Sequence, residues 1–134
     1  MLLGAAALGS GAAAIDGLCV TPRRLLTTTH VVGSGSAERR LRIVQVSDLH
    51  VHRIGTLERQ LLERLHELRA DVIVVTGDSI DRSHRLPVLD TLLAEFPRGP
   101  RTLAIMGNWE YRSGVTADAM ARLYGRHGIE LLVN

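Results

Sequence analysis

The sequence predicts an α/β domain built on a largely parallel sheet, in the order βαβαβαβ. Three observations carry that reading. Short β-branched runs alternate with stretches of helical period, the central runs are apolar almost without a break, and polar residues suited to chemistry gather where each of the first three runs ends.

Residues 41–48, LRIVQVSD, are rich in β-branched side chains and stop in a polar turn, which makes them the first strand. In residues 56–68, TLERQLLERLHEL, the side chains Leu57, Leu61, Leu62, Leu65 and Leu68 recur at helical spacing with charges between them, so the leucines are expected in the core. Residues 71–78, DVIVVTGD, form a nearly continuous apolar run, as a strand covered on both faces does. A short helix follows over 86–96, then a third buried strand over 102–108, TLAIMGN. Thr116 is an N-cap for a helix over 116–128, with Asp118 in its first turn and Gly128 as its stop, and 129–134, IELLVN, opens a fourth strand. Helices between successive strands bring the chain back to the same end each time, which makes the strands parallel.

Upstream of this domain the composition changes. Residues 1–20 are rich in Ala, Gly and Leu, with Asp16 as their one charge, and suit a signal or membrane-anchor segment. Ala12 and Ala14 fit a small-x-small cleavage site, yet no basic residue precedes the apolar run, so the start of the protein is expected further upstream. Arg23 and Arg24 follow directly, which for an uncleaved anchor favours a cytoplasmic C-terminal side. The chain is therefore expected to be membrane-associated or exported, with the side left open. GSGAAA in the same segment matches a dinucleotide fingerprint only loosely, with no strand before it, and carries no function. Residues 21–40 are a connector, and the folded domain is expected over 41–134.

Bulk composition narrows the function. Apolar residues make up 46% of the chain, enough for a real core, and the net charge is +2. The sixteen basic residues, all arginine, are scattered, and aromatic residues are few (3%), so no nucleic-acid polymer is expected as a partner. Cys19 is the single cysteine, which excludes an internal disulfide framework and any Cys-rich zinc site. Oligomeric state is not legible.

The chemistry lies at the strand ends. Asp48 and His50 follow the first strand, Asp78 and Asp81 the second, Asn108 and Glu110 the third, and in open α/β sheets these ends form the crevice where ligands bind. Spaced two apart, Asp48 and His50 point to one side of an extended segment and can hold one ion together. Asp78 reaches the same ion from the next strand, and Asn108 reaches a second ion nearby. One carboxylate shared by two cations offsets their repulsion. Carboxylate, imidazole and amide oxygen suit manganese, iron or zinc better than calcium. No phosphate-cradling glycine loop follows the first strand, which sets a doubly wound nucleotide-binding domain aside.

DLH, GDSID with its following Arg82, and GNWE resemble, in order, the motifs D-x-H, G-D-x-x-D and G-N-H-D/E of the calcineurin-like metallophosphoesterases. The resemblance runs from about Leu41 to Asn134. It implies the N-terminal part of an α/β/β/α sandwich, incomplete here, and hydrolysis of a phosphate mono- or diester by water activated between two divalent metal ions. Asp48 and His50 then bind the first metal, Asp78 bridges, and Asn108 binds the second; Asp81 and Glu110 support, Glu110 by orienting Asn108 or by pairing with an arginine. Arg82 is either a phosphate contact or a solvent-facing arginine. The connector TPRRLLTTTHVV resembles the membrane-tethered branch, which includes phosphodiesterases acting on lipid head groups, so a lipid-linked or nucleotide diester is the expected substrate.

Two departures stand out. Trp109 replaces the usual histidine of the third motif, and an indole has no basic nitrogen with which to manage a proton, though it can wall an apolar substrate pocket. The family's late histidines, including G-H-x-H, do not occur before Asn134, so this stretch alone is expected to be inactive, a portion of a longer enzyme. The alternative is a truncated or degenerate relative that binds metal without catalysis. His52 is expected on the surface beside the site; His66 is expected to be solvated, and His30, His84 and His127 fall in loops or at helix ends.

Overall fold

A computed structural model describes residues 25–33 and 40–133. The chain divides into two units, Met1–Val32 and Gly33–Asn134. In the first, the described residues 25–32 have no regular secondary structure. The apolar segment 1–20, with Cys19 and GSGAAA, lies outside the described residues, as do parts of the connector. Among the described residues no helix is long and apolar enough to cross a membrane.

The second unit contains β1 (Ile43–Val46), α1 (Thr56–Leu68), β2 (Val72–Thr76), a 3-10 turn (Ser83–Arg85), α2 (Leu86–Ala94), β3 (Arg101–Ile105), α3 (Asn108–Arg112), α4 (Ala117–Arg126) and β4 (Ile129–Leu131). The four strands lie side by side in chain order, every pair parallel, as the alternating pattern predicts. Crossovers of one hand between strands in chain order carry all their helices to the same face.

The packing agrees with that rule. Val46, Val75 and Ala104 stand in register across β1, β2 and β3, and Ile73, Thr102 and Ile129 across β2, β3 and β4. The apolar members of these rows join one core with Leu61, Leu62 and Leu65 of α1, Leu89, Leu92 and Leu93 of α2, and Met120, Leu123 and Tyr124 of α4. Leu57 and Leu68, expected in the core, are only half-buried at the ends of α1. The opposite face holds Val72, Val74 and Leu103 half-buried, with Ile43 and Ile105 exposed. Polar pairs interrupt it: Gln45 Nε2 donates to Thr76 Oγ1 at 3.1 Å, and Arg101 to Glu130 at 2.8 Å. Among the described residues, helices cover one face of β2.

Several boundaries differ from the pattern-based ones, for local reasons. The first two strands end short of their polar residues because Asp48, His50 and Asp78 take left-handed backbone angles that break the strand. Asn108, read as the end of the third strand, instead starts α3. Ser83–Arg85 forms a 3-10 turn ahead of α2, and Pro87 sits in the first turn of α2, where its missing N–H costs nothing. Thr116 caps α4 as expected, its Oγ1 accepting from Ala119 N at 3.2 Å.

His127 is more than a helix-end residue. Its Nε2 lies 2.6 Å from Asp90 Oδ1, with the Arg126 guanidinium 3.1 Å from the same oxygen, so the end of α4 is tied to α2. The His127 hydrogen bond, then that of Arg126, holds the Asp90 carboxyl below its ordinary 3.8. A depressed carboxylate stabilises the fold above its unfolded value and loses that contribution as pH falls through its folded value. Asp90→Asn is therefore expected to lower the denaturation midpoint slightly near neutral pH, with the difference from the parent fading as pH falls below the carboxyl's ordinary 3.8. Paired chemical-denaturation curves at neutral and acid pH measure this, and a difference constant with pH contradicts it.

Candidate metal centre

Three loops meet at the C-terminal ends of β1, β2 and β3. The loop after β1 runs along the loop after β2: Asp48 N donates to Gly77 O at 3.4 Å, His50 N to Asp78 O at 2.9 Å, and Val51 N to Ser79 O at 2.9 Å. Among the described residues four non-glycine side chains sit at positive φ, and three of them are Asp48 (55°), His50 (39°) and Asp78 (53°). The fourth, Arg69, caps α1. Such backbone is costly for ordinary residues and persists where the surroundings impose it, most often at functional sites. Asp48 and His50 thus converge through left-handed backbone, not along the extended segment that their spacing suggests.

Asp48, His50 and Asp78 each offer one ligand atom, all within 4.8 Å of one another, with His50 and Asp78 half-buried and Asp48 exposed. Ligands on a tetrahedral, zinc-sized ion with bonds of about 2.1 Å lie about 3.4 Å apart, so an inward movement of about 1 Å by each closes the three around a single cation. The donor set of two carboxylates and an imidazole fits such a cation. Asn108, not one of the three, lies against Asp78. With its amide nitrogen turned inward it donates to both carboxylate oxygens, at 3.1 and 3.2 Å. With the oxygen turned inward it joins them as a third acceptor, an arrangement that suits a cation. Trp109 N donates to Asp78 Oδ1 at 3.0 Å, and Ser47 Oγ to Asp48 Oδ2.

Two glycines let the loops approach this closely. A Cβ on Gly77, itself at φ +87°, would lie 2.5 Å from Gly107 N, and one on Gly107 would lie 2.5 Å from Asp78 N. Neither position tolerates a side chain without the loops separating.

Glu110 holds the loops together. Its side chain is fully buried, and it accepts from Gly107 N (2.8 Å) and Asp78 N (3.1 Å) on Oε2 and from Ser79 N (2.6 Å) and Ile80 N (3.3 Å) on Oε1. Sequence reading expected it to orient Asn108 or pair with an arginine. It does neither among the described residues, and organises the main chain around Asp78. The spacing Gly107-x-x-Glu110 is that of an N-cap and its third helical residue, a signal that points to the first of these bonds but not to the rest.

Behind the loop, Ser79 Oγ and Tyr124 Oη lie 2.9 Å apart, both residues fully buried. Asp81 stands outside the group of three. Its Oδ2 is 3.8 Å from His52 Nε2 and 4.0 Å from Arg82 Nε, and its buried Oδ1 has no hydrogen-bond partner. Arg82 is exposed, and His52 lies on the surface as expected, its carbonyl accepting from Arg85 at 2.8 Å. Trp109 packs edge-on to His50, ring centroids 5.6 Å apart at 87°, with the Arg112 guanidinium 5.4 Å from its ring centroid.

Residues 41–131 match the model of a family described as calcineurin-like phosphoesterase. A curated relative, the uncharacterized metallophosphoesterase YkoQ of Bacillus subtilis (strain 168), is 30% identical over 78 residues, which cover 56% of this chain and 29% of that protein. The chain thus matches less than a third of that relative's length.

Two substitutions probe the support of these loops. Glu110→Gln keeps the shape but turns an NH2 toward two N–H donors whichever way it faces, so it is expected to cost about 2–4 kcal/mol in denaturant unfolding. A midpoint equal to the parent's contradicts the role given to Glu110. Burial pushes the Tyr124 phenol from 10.0 up to about 12, the Ser79 hydrogen bond opposing this and the Glu110 charge adding to it. A raised acid stabilises fully below its unfolded value and loses that contribution as pH rises toward its folded one. Tyr124→Phe is therefore expected to be less stable at neutral pH, by about 1–2 kcal/mol, and to lack the parent's loss of stability between pH 10 and about 12.

Proposed function

The chain belongs to the calcineurin-like phosphoesterase family, and from that premise we propose that it is the metal-binding part of a phosphodiesterase acting on a lipid-linked or nucleotide substrate. The observation that carries this reading is the convergence of Asp48, His50 and Asp78 on one point, each on left-handed backbone. Asp48, His50 and Asp78 would hold one divalent cation, and Asp78 and Asn108 would hold a second. Manganese, iron or zinc fit these donors. Such cations, when bound, supply Lewis acidity to the phosphoryl group and make a water molecule acidic enough to attack at neutral pH.

The chain's own residues set the geometry. Glu110 fixes the main chain on both sides of Asp78, and the Trp109 N–H holds one Asp78 oxygen. Asn108 stays against the same carboxylate. Trp109 has no basic nitrogen, so the leaving alkoxide takes its proton from water or another side chain. The apolar segment 1–20 supports a place at or across a membrane.

Trp109 also favours a second reading, a relative that binds metal without turnover. Hydrolysis of bis(p-nitrophenyl) phosphate by the full-length protein with manganese separates the two. Turnover is expected, falling at least ~100-fold in Asp78→Asn together with manganese affinity. Manganese binding without turnover selects the second reading, and turnover untouched by Asp78→Asn rules out the site.

A further inference from the structure

We propose that Trp109 is a stacking platform for a planar ring on one ester arm of the substrate, which makes the substrate class phosphoesters of aryl or nucleoside alcohols. The inference rests on the hydrolytic reading above and narrows its substrate.

Trp109 is 39% exposed although it lies directly against the candidate metal centre. Its position is fixed from three directions. The main-chain N–H is bound to Asp78 Oδ1, the ring meets the His50 ring at 87°, and Arg112 stands over the indole. A large aromatic surface held still by its neighbours loses little entropy when a second ring settles on it. Base-to-aromatic stacking also tolerates any ring, because every base has a π-face.

The platform lies beside the candidate ligands, within reach of an ester arm of a phosphoryl group held there. The His50 ring is a candidate ligand, and the indole centroid is 5.6 Å from it, so the indole borders the triad directly. A free alkyl arm gains only contact area there, whereas a flat ring gains stacking as well. Arg112 adds a guanidinium 5.4 Å from the ring centroid, suited to an anionic or π-rich substituent.

Trp109 is the only tryptophan in the chain, so its fluorescence reports on this position alone. The test compares phenylphosphonate with ethylphosphonate, neither of which has an ester bond to cleave, on the zinc-loaded full-length protein, by calorimetry and by tryptophan emission. Phenylphosphonate is expected to bind on the order of ten-fold more tightly and to change the emission. Trp109→Ala, at unchanged cation affinity and circular dichroism, is expected to erase that preference, and Trp109→Phe to keep part of it. Equal, metal-dependent binding of both phosphonates by the parent overturns the platform and leaves the hydrolytic reading standing, as does a preference that survives in Trp109→Ala. Binding of neither phosphonate overturns both.

Discussion

One buried carboxylate organises the working end of this sheet. Glu110 offers two oxygens to four backbone N–H groups that belong to the loops after β2 and β3. Those groups point inward where no strand partner exists, and a buried N–H without an acceptor costs about 1–3 kcal/mol. A neutral side chain with one acceptor oxygen serves at most half of them. The left-handed backbone at Asp78, the contact between Gly77 and Gly107, and the pairing of residues 48–51 with 77–79 all lie around this anchor. The strain at three candidate ligands is held in place by satisfied hydrogen bonds nearby, which is how such conformations persist.

Much of the fold was legible because the relevant signals are periodic. The β-branched runs and the leucine spacing of α1 report the burial of whole faces, and burial is what the hydrophobic effect selects. The ends of the elements were less legible. Residues 46–50 read as a strand running into a turn, but the turn type depends on partners 28 and 29 residues away in the loop after β2. The five-residue α3 is too short to show a period, and its one clue is the glycine and glutamate three residues apart. His127 was opaque for a similar reason, since its partner Asp90 lies on another helix.

The candidate site divides in the same way. Asp48, His50, Asp78 and Asn108 could be named from the sequence because their residue types at successive strand ends have few other uses together. The role of Glu110 could not, since it depends on main-chain directions that no side-chain pattern records. Trp109 stands between these cases. Its departure from the usual histidine is plain in the sequence, while its fixed place between His50 and Arg112 emerges only from the folded chain. The parallel sheet, with its helices on one face, sets all of these groups on one edge.

The central claim is that Asp48, His50 and Asp78 form a cation site. The most direct measurement is anomalous diffraction from crystals of the full-length protein grown with manganese, recorded above and below the metal edge. The account predicts an anomalous peak coordinated by all three side chains, with the Asn108 amide at its margin. A well-ordered site with no peak there, or manganese bound only by other residues, contradicts it.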